Sequence, residues 1–257
     1  MTTSPRSVVM LVIAGVMSLL AFCWPLIIKP GAGLQGSALT PLIFALILPL
    51  VLAVVVSELG HHDLDVTSLA MLGVLSAVGA AVRPLGAGTA GIETVFFLVI
   101  IAGRVFGPGF GFVLGNTTLF TSALLTSGIG PWLPYQMLAA GFVGLGAGLL
   151  PRARGWAEVG LLATFGAIAA FVFGALMDLA FWPFALGGES QLSFDPDASV
   201  ATNLHHFALY NLATSLGWNL GRALTNVVLL LLLAPPLLRV LRRAARRGNL
   251  HAAQPDS

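Results

Sequence analysis

The chain has 257 residues, of which 57% are hydrophobic and only 9% charged, with mean hydropathy +0.95. A soluble domain carries about 25% charged residues, so this composition cannot clothe a wetted surface and defines a polytopic, all-α membrane protein. The formal net charge of +2 carries no nucleic-acid signature, and a single cysteine, Cys23, excludes an internal disulfide or a cysteine metal cluster.

A helix needs about 20 apolar residues to cross a bilayer. The first candidate, 7–28, resembles a leader at its start. Its apolar run continues through Trp24–Ile28, and Phe22 stands where a lipoprotein box needs a small residue, so it reads as a retained span. Further candidates follow at 41–58, 67–83, 91–106, 108–127, 134–151, 157–182 and 207–240. Turn chemistry separates them: KPGAG at 29–33, RPLGAG at 83–88, GPG at 107–109, GIGP at 128–131 and PRARG at 151–155. The third and fourth are short, so six or seven crossings are alternatives to eight.

Alternation from a cytoplasmic amino terminus puts Arg6, Arg152, Arg154 and the cluster Arg239, Arg242, Arg243, Arg246 and Arg247 inside. Arg104 lies near the inner end of its span, while Lys29 and Arg83 fall outside. An even count therefore satisfies the positive-inside rule with both termini cytoplasmic. The basic run after 239 is explained by attraction to anionic lipid, roughly 1 kcal/mol per residue.

No P-loop is present; the only lysine, Lys29, precedes Pro30. No HExxH or GxSxG motif occurs, so neither a metalloprotease nor a serine hydrolase is indicated. Ionisable residues available for ion coupling inside the membrane are few: Asp178, Arg222 and, near an edge, Glu93. The run His61-His62-Asp63-Leu64-Asp65 reads as a polar connector rather than a metal site.

Gly73, Ala77 and Ala81 recur at every fourth position of the third span. Small residues at that spacing make a flat stripe against which another backbone packs closely, either within the bundle or on a separate membrane subunit. Gly144 and Gly148 repeat the device in the sixth span, with Gly141 on a neighbouring face.

The alanine-rich helix ending in Arg83, the turn GRVFGPGFGF and the segment GPWLPYQM together resemble the substrate-binding membrane subunits, or S components, of energy-coupling factor vitamin transporters. The likeness is close over roughly 69–151, and nearest to the branch associated with cobalamin. S components are usually six-helix proteins. The resemblance thus implies a core at 67–240, an amino-terminal two-span addition at 1–66 and a basic cytoplasmic tail at 241–257. It also implies a function. Such a subunit binds a vitamin from outside, joins a coupling membrane subunit and two ATPases, and topples to release its cargo; it needs no cofactor or metal, and ATP hydrolysis belongs to the partners. By position, the family's contact with the coupling subunit falls on Gly73, Ala77 and Ala81.

The segment GIGPWLPYQM suits an outer binding turn. Gly128 and Gly130 permit a tight turn, Pro131 and Pro134 stiffen it, and Pro134 can occupy the first turn of the next helix. Trp132 and Tyr135 offer flat apolar surfaces and Gln136 a donor and an acceptor, as a vitamin pocket requires; an aromatic belt accounts for the first two equally well. Arg83 either bridges to Glu93 across a short loop or meets an anionic group of the ligand, with the bridge favoured. Asn203, His205 and His206 stand where the long loop 183–206 enters the last span. His206 and Tyr210 then share one helical face with Thr214; Asn211, Trp218 and Arg222 mark another. Asn116, Thr117 and Thr118 read as residues bonded to helix carbonyls or neighbours. The loop 183–206, with Glu189, Asp195 and Asp197 and no basic residue, is either a lid or a solvated connector. Two other functions compete with the vitamin-binding one: a self-sufficient secondary carrier or channel, and a membrane anchor or assembly protein.

Overall fold

The computed structural model describes residues 15–16, 19–27, 66–86, 89–186 and 190–252. The second candidate span, most of the first, Lys29, the His61–Asp65 run and Glu189 lie outside the described residues. Among those described, every regular element is helical: α1 (Trp24–Ile27), α2 (Val66–Val82), a 3-10 turn (Arg83–Leu85), α3 (Phe96–Phe106), α4 (Pro108–Thr126), α5 (Leu133–Leu149), α6 (Gly155–Ala185) and α7 (Val200–Ala252). Three stretches are long and apolar enough to cross a membrane: Thr67–Leu85, Gly155–Ala185 and Val200–Arg246.

The helices α2 to α7 zigzag between two ends of one bundle. The turns do this as their residues dictate. Gly107, at φ +101°, takes a conformation closed to side-chain-bearing residues, and its N–H closes α3 on the Gly103 carbonyl at 2.9 Å. Pro108 then starts α4, where its missing N–H is one of the helix's unpaired donors anyway. Ser127, left-handed at φ 54°, ends α4, and Gly128 N–H returns to the Ala123 carbonyl at 2.9 Å. Pro134 stands in the first turn of α5, as the GIGPWLP segment predicts.

α3 is the axis of the bundle. Every residue from Phe96 to Gly103 is buried, against α4, α5, α6 and α7. It has only 11 residues, a rise of about 16 Å, so the predicted span 91–106 is too long. Residues 90–95 form a turn instead, because Gly91 lies against the Trp218 backbone and Gly221 against that of Ala90, leaving no room for a helical turn. The last two predicted spans, 157–182 and 207–240, need extension instead. α6 continues through Pro183 to Ala185, and α7 begins at Val200 and runs past 240, with Pro235 and Pro236 inside the helix. The connector is accordingly 186–199, shorter than the predicted 183–206, and Asn203, His205 and His206 are helical.

Lipid tails are as apolar as leucine, so burial from water does not hold these helices together; packing and hydrogen bonds do. α4 and α5 meet glycine to backbone: Gly111 against Gly144, Gly115 against Ala140, Gly148 against Pro108. α6 and α7 run antiparallel along a polar seam. Asn211 donates to Asp178 at 2.5 Å, and Asn226 Nδ2 donates to the Gly166 carbonyl at 3.0 Å. At its far end, Arg242 donates to Glu158 at 2.6 Å and Arg104 to the same oxygen at 2.7 Å. Glu158 is 1% exposed, so one carboxylate fastens the ends of α3, α6 and α7.

The described residues of the first predicted span touch this bundle. Phe22 is fully buried edge-on to Tyr135, Trp24 Nε1 donates to the Ala180 carbonyl at 3.0 Å, and the Trp24 ring stacks on Phe184.

Candidate functional site

One end of the bundle carries Arg104, Arg152, Arg154, Arg239, Arg242 and Arg243; the other gathers the turns after α2, α4 and α6. A cavity of about 230 Å³ opens at this second end. Its floor and walls come from four places: Arg83 and Pro84 after α2, the turn Gly91–Glu93, Thr126 at the end of α4, and Trp218 and Arg222 on α7. The turn is held in place by Thr94, whose hydroxyl donates to the Val82 carbonyl at 2.7 Å.

The two arginines of the cavity are differently placed. Arg222 pairs through Nε with Glu93; its Nη1 donates to Asn219 Oδ1 at 2.8 Å, and its guanidinium lies 5.0 Å from the Phe173 ring centroid. Among the described residues Arg83 reaches only neutral acceptors, Ser122 Oγ and Gln136 Oε1, each at 3.3 Å. Its Nε is buried without a hydrogen-bond partner among the described residues. The predicted Arg83–Glu93 bridge is therefore not formed: Glu93 is drawn to Arg222, 129 positions away in sequence, because the turn around Gly91 is pressed onto α7. Of the sequence candidates, Arg83, Glu93 and Trp218 line the cavity, and Gln136 is joined to it through Arg83. Trp218 is 48% exposed, so its indole is free to meet a ligand.

The remaining candidates lie apart from the cavity lining. Trp132 is 45% exposed, beside Gly130 in the turn before α5. Tyr135 is fully buried, its ring edge-on to those of Phe22 and Phe181, so it offers no open surface. His206 meets the Ser193 carbonyl at 3.1 Å, and Asn203 exchanges hydrogen bonds with the Asp195 backbone. Both fasten the connector 190–199 onto α7. Tyr210 lies beside Trp182, whose Nε1 donates to the Leu192 carbonyl at 2.7 Å, and Asn211 is committed to Asp178. The described part of the connector packs on this aromatic group and does not line the cavity. Asn116 and Thr117 bond carbonyls of their own helix, Phe112 and Val113, as expected. Thr117 also meets Ser76 at 2.7 Å, which joins α4 to α2.

Arg222 is the charged residue of the cavity lining that site selection from sequence passes over. Its signal was available, since an arginine inside an apolar span must have a partner; only the fold identifies that partner. A larger cleft of about 580 Å³ lies at the arginine end, between Thr67 and the stretch Pro236–Ala244. It presents Arg239 and Arg243 but no aromatic wall or paired polar group, so it lacks the features that orient a ligand.

Gly73, Ala77 and Ala81 are all exposed, on the face of α2 turned away from α4. The opposite face carries Leu72, Leu75, Ser76, Gly79 and Ala80 into the bundle.

The described helices thus form one apolar bundle with a small polar cavity at one end and an exposed stripe of small residues on α2. The family model for the substrate-specific component of ECF transporters matches residues 65–237, and the chain belongs to that family. Neither a curated protein nor a solved structure gives a significant match.

Proposed function

We propose that this S component takes up a vitamin or vitamin precursor from the extracellular side at the Arg83–Trp218 cavity. It hands the cargo inward together with a coupling membrane subunit and two ATPases, which supply the ATP hydrolysis. The observation that carries the reading is the cavity itself, which combines an aromatic wall, an ion pair and an unneutralised guanidinium at the end of the bundle remote from the arginine cluster. By the positive-inside rule that cluster faces the cytoplasm, which turns the cavity outward. The exposed stripe Gly73, Ala77 and Ala81 is the docking face for the coupling subunit, since its flat surface admits a second helix backbone.

The resemblance favours a cobalamin-type cargo. A cavity of 230 Å³ is below the roughly 300–1,000 Å³ of sites that enclose a drug-sized ligand. A corrinoid would therefore insert one edge only, unless the turn around Gly91 moves outward.

The test is binding of a vitamin panel, including cobalamin and cobinamide, to the purified full chain, followed by uptake in proteoliposomes. Nanomolar binding weakened by Trp218→Ala, with uptake only when coupling subunit and ATPases are present, supports the proposal. Uptake driven by an ion gradient alone would make the chain a secondary carrier. A folded protein that binds no small molecule would leave an anchor or assembly role.

A further inference from the structure

We infer that the transported molecule carries an anionic group, a carboxylate or a phosphate, that docks on the Arg83 guanidinium at the inner wall of the cavity. This rests on the reading of that cavity as the substrate site.

The argument is one of charge and hydrogen-bond accounting. The cavity lining contains two guanidinium groups, Arg83 and Arg222, and a single carboxylate, Glu93. That carboxylate is taken by Arg222. Asp178, on α6, accepts from Asn211 and is not part of the lining. Arg83 is thus left with a formal positive charge facing the cavity. A guanidinium has five N–H donors in a rigid fork. Here two of its nitrogens make long bonds of 3.3 Å to neutral oxygens, and Nε, buried, makes none among the described residues.

Such an arrangement is costly for folding. A guanidinium with a buried, unpartnered Nε and no counter-charge leaves part of its hydrogen-bonding capacity unmet, and in a membrane protein arginines of this kind mark substrate pathways. The other lining groups cannot relieve it. Thr126, which donates its hydroxyl to the Ser122 carbonyl at 2.8 Å, is neutral and supplies no negative charge, and Pro84 and Ile92 have no side-chain acceptor. A ligand carboxylate or phosphate can. It matches the guanidinium fork in geometry and supplies the absent negative charge. Ser122 and Gln136 then act as positioning residues, holding the fork toward the opening. Arg222, already neutralised by Glu93, is a secondary source of attraction, and Trp218 covers the apolar remainder of the ligand.

The discriminating experiment uses the full chain in lipid nanodiscs and pairs of probes that differ in the presence of one anionic group. Suitable pairs are biotin and its amide, pantothenate and panthenol, nicotinate and nicotinamide, thiamine monophosphate and thiamine, and riboflavin phosphate and riboflavin. Thermal unfolding identifies any binder, and titration gives its affinity.

The expected result is a binder from the acidic side of a pair, with its twin lacking the anionic group at least about tenfold weaker. Hydrogen bonds to a charged group contribute about 1.5–3 kcal/mol, so Arg83→Gln should weaken the acid about 10- to 100-fold. Arg83→Lys, which keeps the charge and loses the fork, should fall between. Glu93→Gln provides a control of opposite sign: by releasing Arg222 it should hold or raise affinity for an anion, whereas it would lower affinity for a cation.

A neutral or cationic probe that binds tightly, loses affinity in Trp218→Ala and keeps it in Arg83→Gln would overturn the anion inference while leaving the cavity as the substrate site. A tight binder indifferent to both substitutions would overturn the site and the inference together, as would a folded protein that binds neither a member of these pairs nor cobalamin or cobinamide.

Discussion

Two stripes of small residues look alike in the sequence and face opposite ways in the structure. Gly141, Gly144 and Gly148 on α5 turn inward, where Gly144 meets the Gly111 backbone and Gly141 meets Asn116 and Phe112. Gly73, Ala77 and Ala81 on α2 turn outward, and a Cβ at Gly73 would have no neighbour within 4 Å. The first stripe is consumed in building the bundle; the second remains available for a second protein. In a membrane both uses have the same physical cause, because close backbone approach is what lets helices associate in a solvent as apolar as themselves.

Substitutions can break this contrast in graded steps. The largest effect should come from Gly144→Leu, which forces a side chain into the Gly111 backbone. A destabilisation of about 3 kcal/mol or more should appear as loss of monodisperse protein on size-exclusion chromatography.

Next is Ala77→Leu on the outer stripe. The isolated protein should unfold within about 0.5 kcal/mol of the original and bind its ligand normally. Uptake in the presence of coupling subunit and ATPases should fall about tenfold or more, the equivalent of roughly 1.4 kcal/mol lost at the docking face. Equal damage to the isolated protein would mean that the α2 stripe is structural after all.

Gly141→Ala should cost about 1 kcal/mol, because the Asn116 amide and the Phe112 ring in its way are side chains able to shift. Denaturant unfolding in mild detergent would register it. The smallest effect belongs to Gly73→Ala. It adds a methyl group to open space in a helix and should leave stability unchanged or raise it by up to about 1 kcal/mol. A loss of stability there would show that the stripe is covered within the chain.

The same division between what is local and what is distant governs how far the site can be read from sequence. The GPG turn, Pro134 at the start of α5 and the helix-bonded Asn116 and Thr117 are all local, and residue chemistry predicts them. Arg83 and Trp218 are legible as outer-end candidates by topology. Tyr135 is not: its type suits an interface, yet its position on α5 turns it inward between Phe22 and Phe181. His206 and Asn203 look like ligand contacts because they follow a long loop, and they serve instead to tie that loop to α7. Arg83 and Glu93 are neighbours in sequence and invite pairing. The close packing of Gly91 on Trp218 and of Ala90 on Gly221 turns Glu93 toward Arg222 instead.

What the sequence by itself determined is the membrane, the helical class, the turn positions and the family likeness. These follow from hydropathy, glycine and proline placement and short motifs, all carried by residues within a few positions of one another. The tertiary structure alone decided which glycine stripe packs and which stays open, how short α3 is, and which arginine of the cavity is left without a counter-charge. Those outcomes depend on contacts between residues far apart in the chain, and a helical pattern shows that a face exists without showing what it meets.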